Sequence, residues 1–146
     1  MKTAAQILKS KPEQVVHTIG PGASVYEAVQ LMADKNVGAL VVVEQGTVVG
    51  IVSERDYARK VVLLARSSKD TPLRDIMSSP VMYVRPDQTT EQCMALMTEN
   101  RLRHLPVMDD GRLIGLVSIG DLVKATISEQ QFIIEQLEHY ISGQRD

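Results

Sequence analysis

Two stretches of the chain, Ile19 to Tyr57 and Val84 to Leu122, align at one constant offset without a gap. Identical residues recur at Pro21/Pro86, Leu31/Leu96, Met32/Met97, Leu40/Leu105, Val42/Val107, Gly46/Gly111, Gly50/Gly115, Val52/Val117, Ser53/Ser118 and Asp56/Asp121. Other pairs set apolar against apolar, among them Val29/Met94, Val37/Leu102, Val49/Ile114 and Ile51/Leu116. An internal repeat sets the structural unit, and with two copies a symmetric pair is expected rather than a solenoid.

Inside each copy the period of the pattern changes. Ser24-Val-Tyr-Glu27 and Thr89-Thr-Glu-Gln92 have the spacing of capping boxes, in which a hydroxyl accepts from the amide three residues on and the Glu or Gln reaches back. A helix follows each, with Val25, Ala28, Val29 and Met32, or Cys93, Met94, Leu96 and Met97, giving an apolar stripe. Ala39 to Val43 and Leu105 to Met108 then read as short strands. Gln45-Gly46 and Asp110-Gly111 supply the positive-φ turn of a hairpin, and Val48 to Val52 and Leu113 to Val117 return from it. Ser53 and Ser118 sit at the N-cap of a second helix, ending near Leu64 and Thr126 respectively. A first short strand is expected near Val15 to Ile19 and near Val81 to Val84. Each unit is then β-α-β-β-α, an α+β arrangement whose sheet keeps an apolar face uncovered. Two copies packed about an approximate two-fold axis bury what neither buries alone.

Between the copies, Arg66 to Leu73 reads as a polar linker, with Thr71 as N-cap and Pro72 at the first position of a short helix toward Met77. Beyond the second copy, Ser128 can cap a helix with Ile133, Ile134, Leu137, Tyr140 and Ile141 on one face, and Gly143 can end it. The expected organisation is 1–66, the first repeat with an N-terminal helix; 67–127, the linker and second repeat; and 128–146, a C-terminal amphipathic helix and tail.

Composition excludes several classes of function. A net charge of -2, one Phe and no Trp give neither the basic surface nor the stacking platform of a nucleic-acid binder. Apolar runs such as Ala39 to Val43 and Val61 to Ala65 fall far short of the roughly 20 residues of a membrane span. The start, MKTAAQILKSKPEQ, has no signal-peptide apolar core, so no membrane association and a cytoplasmic location are expected. His17, His104 and His139 have no paired metal spacing, and Cys93 reads as a small buried hydrophobe. Neither a Gly-rich phosphate loop nor a G-x-S-x-G elbow occurs, so no catalysis is expected.

The patterns GALVVVEQGTVVGIVSERDY and LPVMDDGRLIGLVSIGDL, with IMSSPV ahead of the second, resemble the tandem CBS-domain pair, or Bateman module, in its stand-alone form. The resemblance covers nearly the whole chain. It implies a non-catalytic regulatory module that binds AMP, ADP, ATP, NAD(H) or S-adenosylmethionine in clefts between the repeats, with AMP or another adenine nucleotide foremost. It further implies that Asp56 with Ser53, and Asp121 with Ser118, receive ribose hydroxyls; an ionised carboxylate has two acceptor oxygens that match a vicinal diol. The Asp56 cleft would draw on Arg55, Val81, Met82, and Arg103 and His104 just ahead of Pro106, the last two facing phosphate. The Asp121 cleft would draw on Val16, His17, Gly38, Ala39 and Gly120, a set without a fixed positive charge, and so hold phosphate less well. Arg59 and Lys60 read as a solvated helix face. Ser-x-x-Asp is also a capping box, so both motifs could serve only to start a helix. A homodimer and a separate effector protein are the expected partners; a scaffold with vestigial clefts is the alternative.

Overall fold

The computed structural model describes residues 1–143 and falls into two compact units: Val15–Met82, and Met1–Gln14 together with the chain from Tyr83 onward. The fold is mixed helix and strand, with one repeat and one small sheet in each unit.

In the Val15–Met82 unit, β1 (Thr18–Ile19) pairs parallel with β2 (Ala39–Glu44), and β2 pairs antiparallel with β3 (Thr47–Ser53). Gln45 and Gly46 take φ of 51° and 78°, the left-handed pair that closes a two-residue hairpin. Helix α2 (Val25–Lys35) starts where the Ser24 hydroxyl accepts from the Glu27 amide. Only that half of the expected capping box forms. Val25, Ala28 and Met32 bury its inner stripe against Leu40, Val42 and Val52 of the sheet. Past β3, α3 (Glu54–Asp56) runs straight into a π-helical segment, Tyr57–Val62.

The other unit repeats this plan. Helix α4 (Thr90–Asn100) opens on a complete capping box between Thr89 and Gln92. Strands β4 (His104–Asp109) and β5 (Arg112–Ser118) pair antiparallel around Asp110 and Gly111, with φ of 51° and 80°. A register shift falls at Val42/Val43 in one sheet and at the matching Val107/Met108 in the other. Where β1 stands in the first repeat, the second has the single parallel bridge Val84↔Val107.

Three expectations are corrected. Helix α5 runs unbroken from Ile119 to Ile141, so Ser128 is an interior residue and not a cap, and the second repeat's helix and the C-terminal helix are one. Nothing in the sequence from Thr126 to Glu129 breaks a helix: there is no Gly or Pro. Gly143 does take φ of 79° just past its end; residues 144–146 of the expected tail lie outside the described part. Second, the short linker helix is a 3-10 turn, Leu73–Asp75, with Pro72 at its N-cap position and no side-chain cap, and Thr71 lies outside it. Pro φ suits that extended cap residue, which ends Thr71's claim to it.

The third correction concerns helix α1 (Ala4–Ser10). Chain order grouped it with the first repeat, but it packs within the unit of the second, where Ala4 and Ile7 join Val84, Cys93, Met97 and Leu105 in one core. Its place is the one that the linker holds in the other unit. Ala4 and Ala5 amides donate to the Gln88 and Pro86 carbonyls, as Leu73 and Arg74 amides donate to Ala23 and Pro21. Ile7 and Leu8 thereby match Ile76 and Met77. Burial of Ile7 and Ile76 on these cores decides the matter, each contributing about 1.5–3 kcal/mol. Close backbone approach explains two repeated glycines: a Cβ at Gly115 would lie 2.5 Å from a Leu8 methyl, and one at Gly50 the same distance from the Met77 sulfur.

Candidate functional site

Each Ser-x-x-Asp motif sits where the last strand of a repeat turns into a helix. Both are complete capping boxes. The Ser53 hydroxyl accepts from the Asp56 amide at 3.3 Å, while Asp56 Oδ2 accepts from the Ser53 amide at 2.9 Å and its hydroxyl at 3.1 Å. At the second motif the Asp121 amide donates to Ser118 Oγ at 3.1 Å, and the Ser118 amide to Asp121 Oδ2 at 2.9 Å. Helix initiation is therefore one role of these motifs. Both carboxylates remain partly open, with side-chain exposures of 16% for Asp56 and 21% for Asp121.

A lysine meets each carboxylate. Lys60 Nζ lies 3.2 Å from Asp56 Oδ1 and donates to the Ile76 carbonyl at 2.9 Å. Lys11 Nζ lies 2.9 Å from Asp121 Oδ2 and donates to the Leu116 carbonyl, also at 2.9 Å. Lys60, expected on a solvated face, is thus tied to the motif; the signal was available, since it stands four residues after Asp56 on a helix. Lys11 had no such signal, because the N-terminal segment reaches Asp121 only through the packing of α1.

Burial is the largest influence on the Asp121 carboxyl and pushes its pKa up, but the Ser118 amide, the Lys11 bond and charge, and the Ser118 hydroxyl together bring it below the ordinary carboxylate value. It stays ionised at neutral pH. His104, opposite Ser118 across the β4–β5 ladder, is moved the other way for a base: burial lowers its pKa, the Asp121 charge opposes this, and Lys11 and Arg103 add to it. His104 is therefore held neutral, a donor or acceptor and not a fixed cation.

The residues beside each motif are position-matched. The Gly38 carbonyl accepts from the Glu54 amide at 3.1 Å, and the Arg103 carbonyl from the Ile119 amide at 2.8 Å. Ala39 pairs with Ser53 as His104 pairs with Ser118. Pro106 stands opposite Leu116, and its carbonyl accepts from Val84. Of the expected set, Val16, His17, Gly38, Ala39, Ser53, Arg55, Asp56, Val81 and Met82 lie in the unit Val15–Met82, and Arg103, His104, Pro106, Ser118, Gly120 and Asp121 in the other. Asp121 is paired to Lys11, a cation that the expected set for its cleft did not include. Arg55 and Gly120 are exposed second residues of the two motif helices. A carboxylate has about four acceptor sites; after these bonds each still has capacity for a hydroxyl donor.

The CBS-domain family model matches residues 5–63 and 73–128, and the chain belongs to that family as a pair of CBS domains. A protein with CBS domains from Burkholderia ambifaria is 57% identical and superposes with a TM-score of 0.85 over 88% of this chain and 96% of its own. The CBS domain-containing protein CBSX3, mitochondrial, of Arabidopsis thaliana is 46% identical over 125 residues, 82% of this chain and 61% of its own length. A hexameric CBS-CP12 protein from bloom-forming cyanobacteria is 32% identical, with a TM-score of 0.75 over 84% of this chain and 70% of its own. Paired CBS domains are generally regulatory and non-catalytic, and often bind nucleotides. Among the described residues, no helix is long and apolar enough to cross a membrane.

Proposed function

We propose that the chain is a non-catalytic regulatory module that binds adenine nucleotides, AMP, ADP, ATP or NAD(H), and passes the energy or redox state they report to a separate protein. The observation that carries this reading is the duplicated arrangement of a backbone-oriented, partly open carboxylate with a lysine ammonium beside it. Such a pair suits a ribose phosphate. The carboxylate receives the vicinal hydroxyls, and the ammonium, with three donors, can turn one toward phosphate. The proposed ligand residues are Val16, His17, Gly38, Ala39, Ser53, Arg55, Asp56, Val81 and Met82 in one unit, and Arg103, His104, Pro106, Ser118, Gly120 and Asp121 in the other. Regulation requires that the ligand bind two arrangements of the protein with different affinity. A homodimer working in the cytoplasm is part of the proposal; the mitochondrial relative makes an organelle the alternative compartment, which cell fractionation decides.

Thermal-shift and calorimetric titrations with AMP, ADP, ATP, NAD, NADH and S-adenosylmethionine test the reading on wild type, Asp56→Ala and Asp121→Ala. A ligand at about 100 times its dissociation constant stabilises by about 2.7 kcal/mol, and loss of one aspartate should weaken its site about tenfold or more. A preference for S-adenosylmethionine would reassign the signal to methyl-donor status. One observation favours a scaffold instead: both carboxylates already hold capping and lysine bonds. Absence of any shift with all six ligands would move the assignment to that scaffold.

A further inference from the structure

Helix α5 carries more apolar surface than its own unit covers. Leu122 and Ala125 face the core, whereas Val123, Ile127, Ile134, Leu137 and Ile141 are 44–81% exposed. These five are not scattered. With Gln130 they follow alternating steps of four and three residues from Val123 to Ile141, a coiled-coil seam with Ile127, Ile134 and Ile141 at one core position and Val123, Gln130 and Leu137 at the other. The seam rises about 27 Å at 1.5 Å per residue.

We propose that this seam pairs antiparallel with the same seam of a second copy of the chain, about a two-fold axis near Gln131 and Ile133. This deepens the homodimer reading by assigning its surface and register. Antiparallel core layers place Ile127 against Leu137 of the second copy, Ile141 against Val123, and Ile134 against Gln130. On one flank, Lys124 then faces Glu138 of the second copy, Glu138 faces Lys124, and Gln131 meets its own equivalent. On the other flank Ile133 meets Ile133, adding apolar contact. Lys124 and Glu138 are exposed, and two-fold symmetry forms their pair twice. A parallel pairing does neither: it sets Glu138 beside Ile133 and Lys124 beside Ile119, with each charge next to an apolar side chain. Charge complementarity and apolar matching therefore select one direction, one register and one partner.

Sedimentation equilibrium on the full chain tests this, with circular dichroism confirming that each variant is folded. Wild type is expected to be dimeric at micromolar concentration, and Ile134→Glu, at an exposed position, monomeric. Lys124→Glu or Glu138→Lys alone sets like charges together on both flank pairs and should weaken the dimer about tenfold; the double variant should restore it. Oxidised Gln131→Cys should cross-link to itself. A monomeric wild type overturns the proposal. A dimer indifferent to Ile134→Glu, or a charge swap without rescue, also overturns it while leaving a homodimer through another surface intact, and nucleotide binding is read separately by the titrations above.

Discussion

Asp56 and Asp121 occupy matching positions in two repeats with matching hairpins and helix caps, yet the lysine at each comes from a different part of the chain. Lys60 stands one turn further along the same helical segment, while Lys11 arrives at the end of α1. The strand residue beside each motif differs too: Ala39 in one repeat, the half-buried His104 in the other. Duplication therefore preserves what the backbone needs, a capped helix after a hairpin, and leaves the electrostatic partners free to differ. A ligand that answers to carboxylate geometry alone would treat the repeats alike. One that answers to the surrounding charge would not.

The largest test asks whether α1 and the linker turn are equivalent. Ile7→Ala and Ile76→Ala each remove a buried side chain and should each cost about 2–5 kcal/mol in urea unfolding. A cost under about 1 kcal/mol for Ile7→Ala alone would break the correspondence. Next come the two close approaches. Gly50→Ala and Gly115→Ala should each cost about 1–3 kcal/mol, as Met77 or Leu8 gives way; a neutral Gly115→Ala would mean that Leu8 is free to move where Met77 is not.

Asp121 allows a sharper comparison through pH. Its folded pKa lies below the ordinary value, so the stabilisation it brings is fully present above about pH 3.9 and is lost as pH falls through the folded value. Asp121→Asn should flatten the acid limb of the stability profile, at a cost near neutral pH of about 1 kcal/mol for the weakened cap. An unchanged limb would break the assignment. The smallest effect belongs to His104. With its folded pKa lowered, stability is full above the ordinary histidine value of 6.5 and declines as pH falls below it toward the folded value. His104→Ala, which copies Ala39, should remove that decline between about pH 6.5 and 5; persistence of the slope would place its origin elsewhere.

Much of the frame was legible in the residues because its rules are local. Gln45-Gly46 and Asp110-Gly111 close their hairpins, and Ser53, Thr89 and Ser118 cap their helices, through bonds that span three residues or fewer. The motif aspartates were legible for the same reason. Lys60 could have been read from its spacing to Asp56, and its tie was missed because a charged residue on a helix is usually solvated. The unbroken α5 was also local, but a serine at a cap-like position outweighed the absence of any breaker.

Repeat order, hairpin turns, helix starts and the apolar stripes all follow from neighbours in the chain, where side-chain spacing and backbone preference act directly. Which core accepts α1, which ammonium meets Asp121, and why Gly50 and Gly115 must stay small follow from contacts between segments far apart in sequence. Burial of Ile7 and Leu8 carries Lys11 to Asp121 as a consequence, and no local pattern around Lys11 records it. Packing, not spacing, made the two aspartates electrostatically distinct.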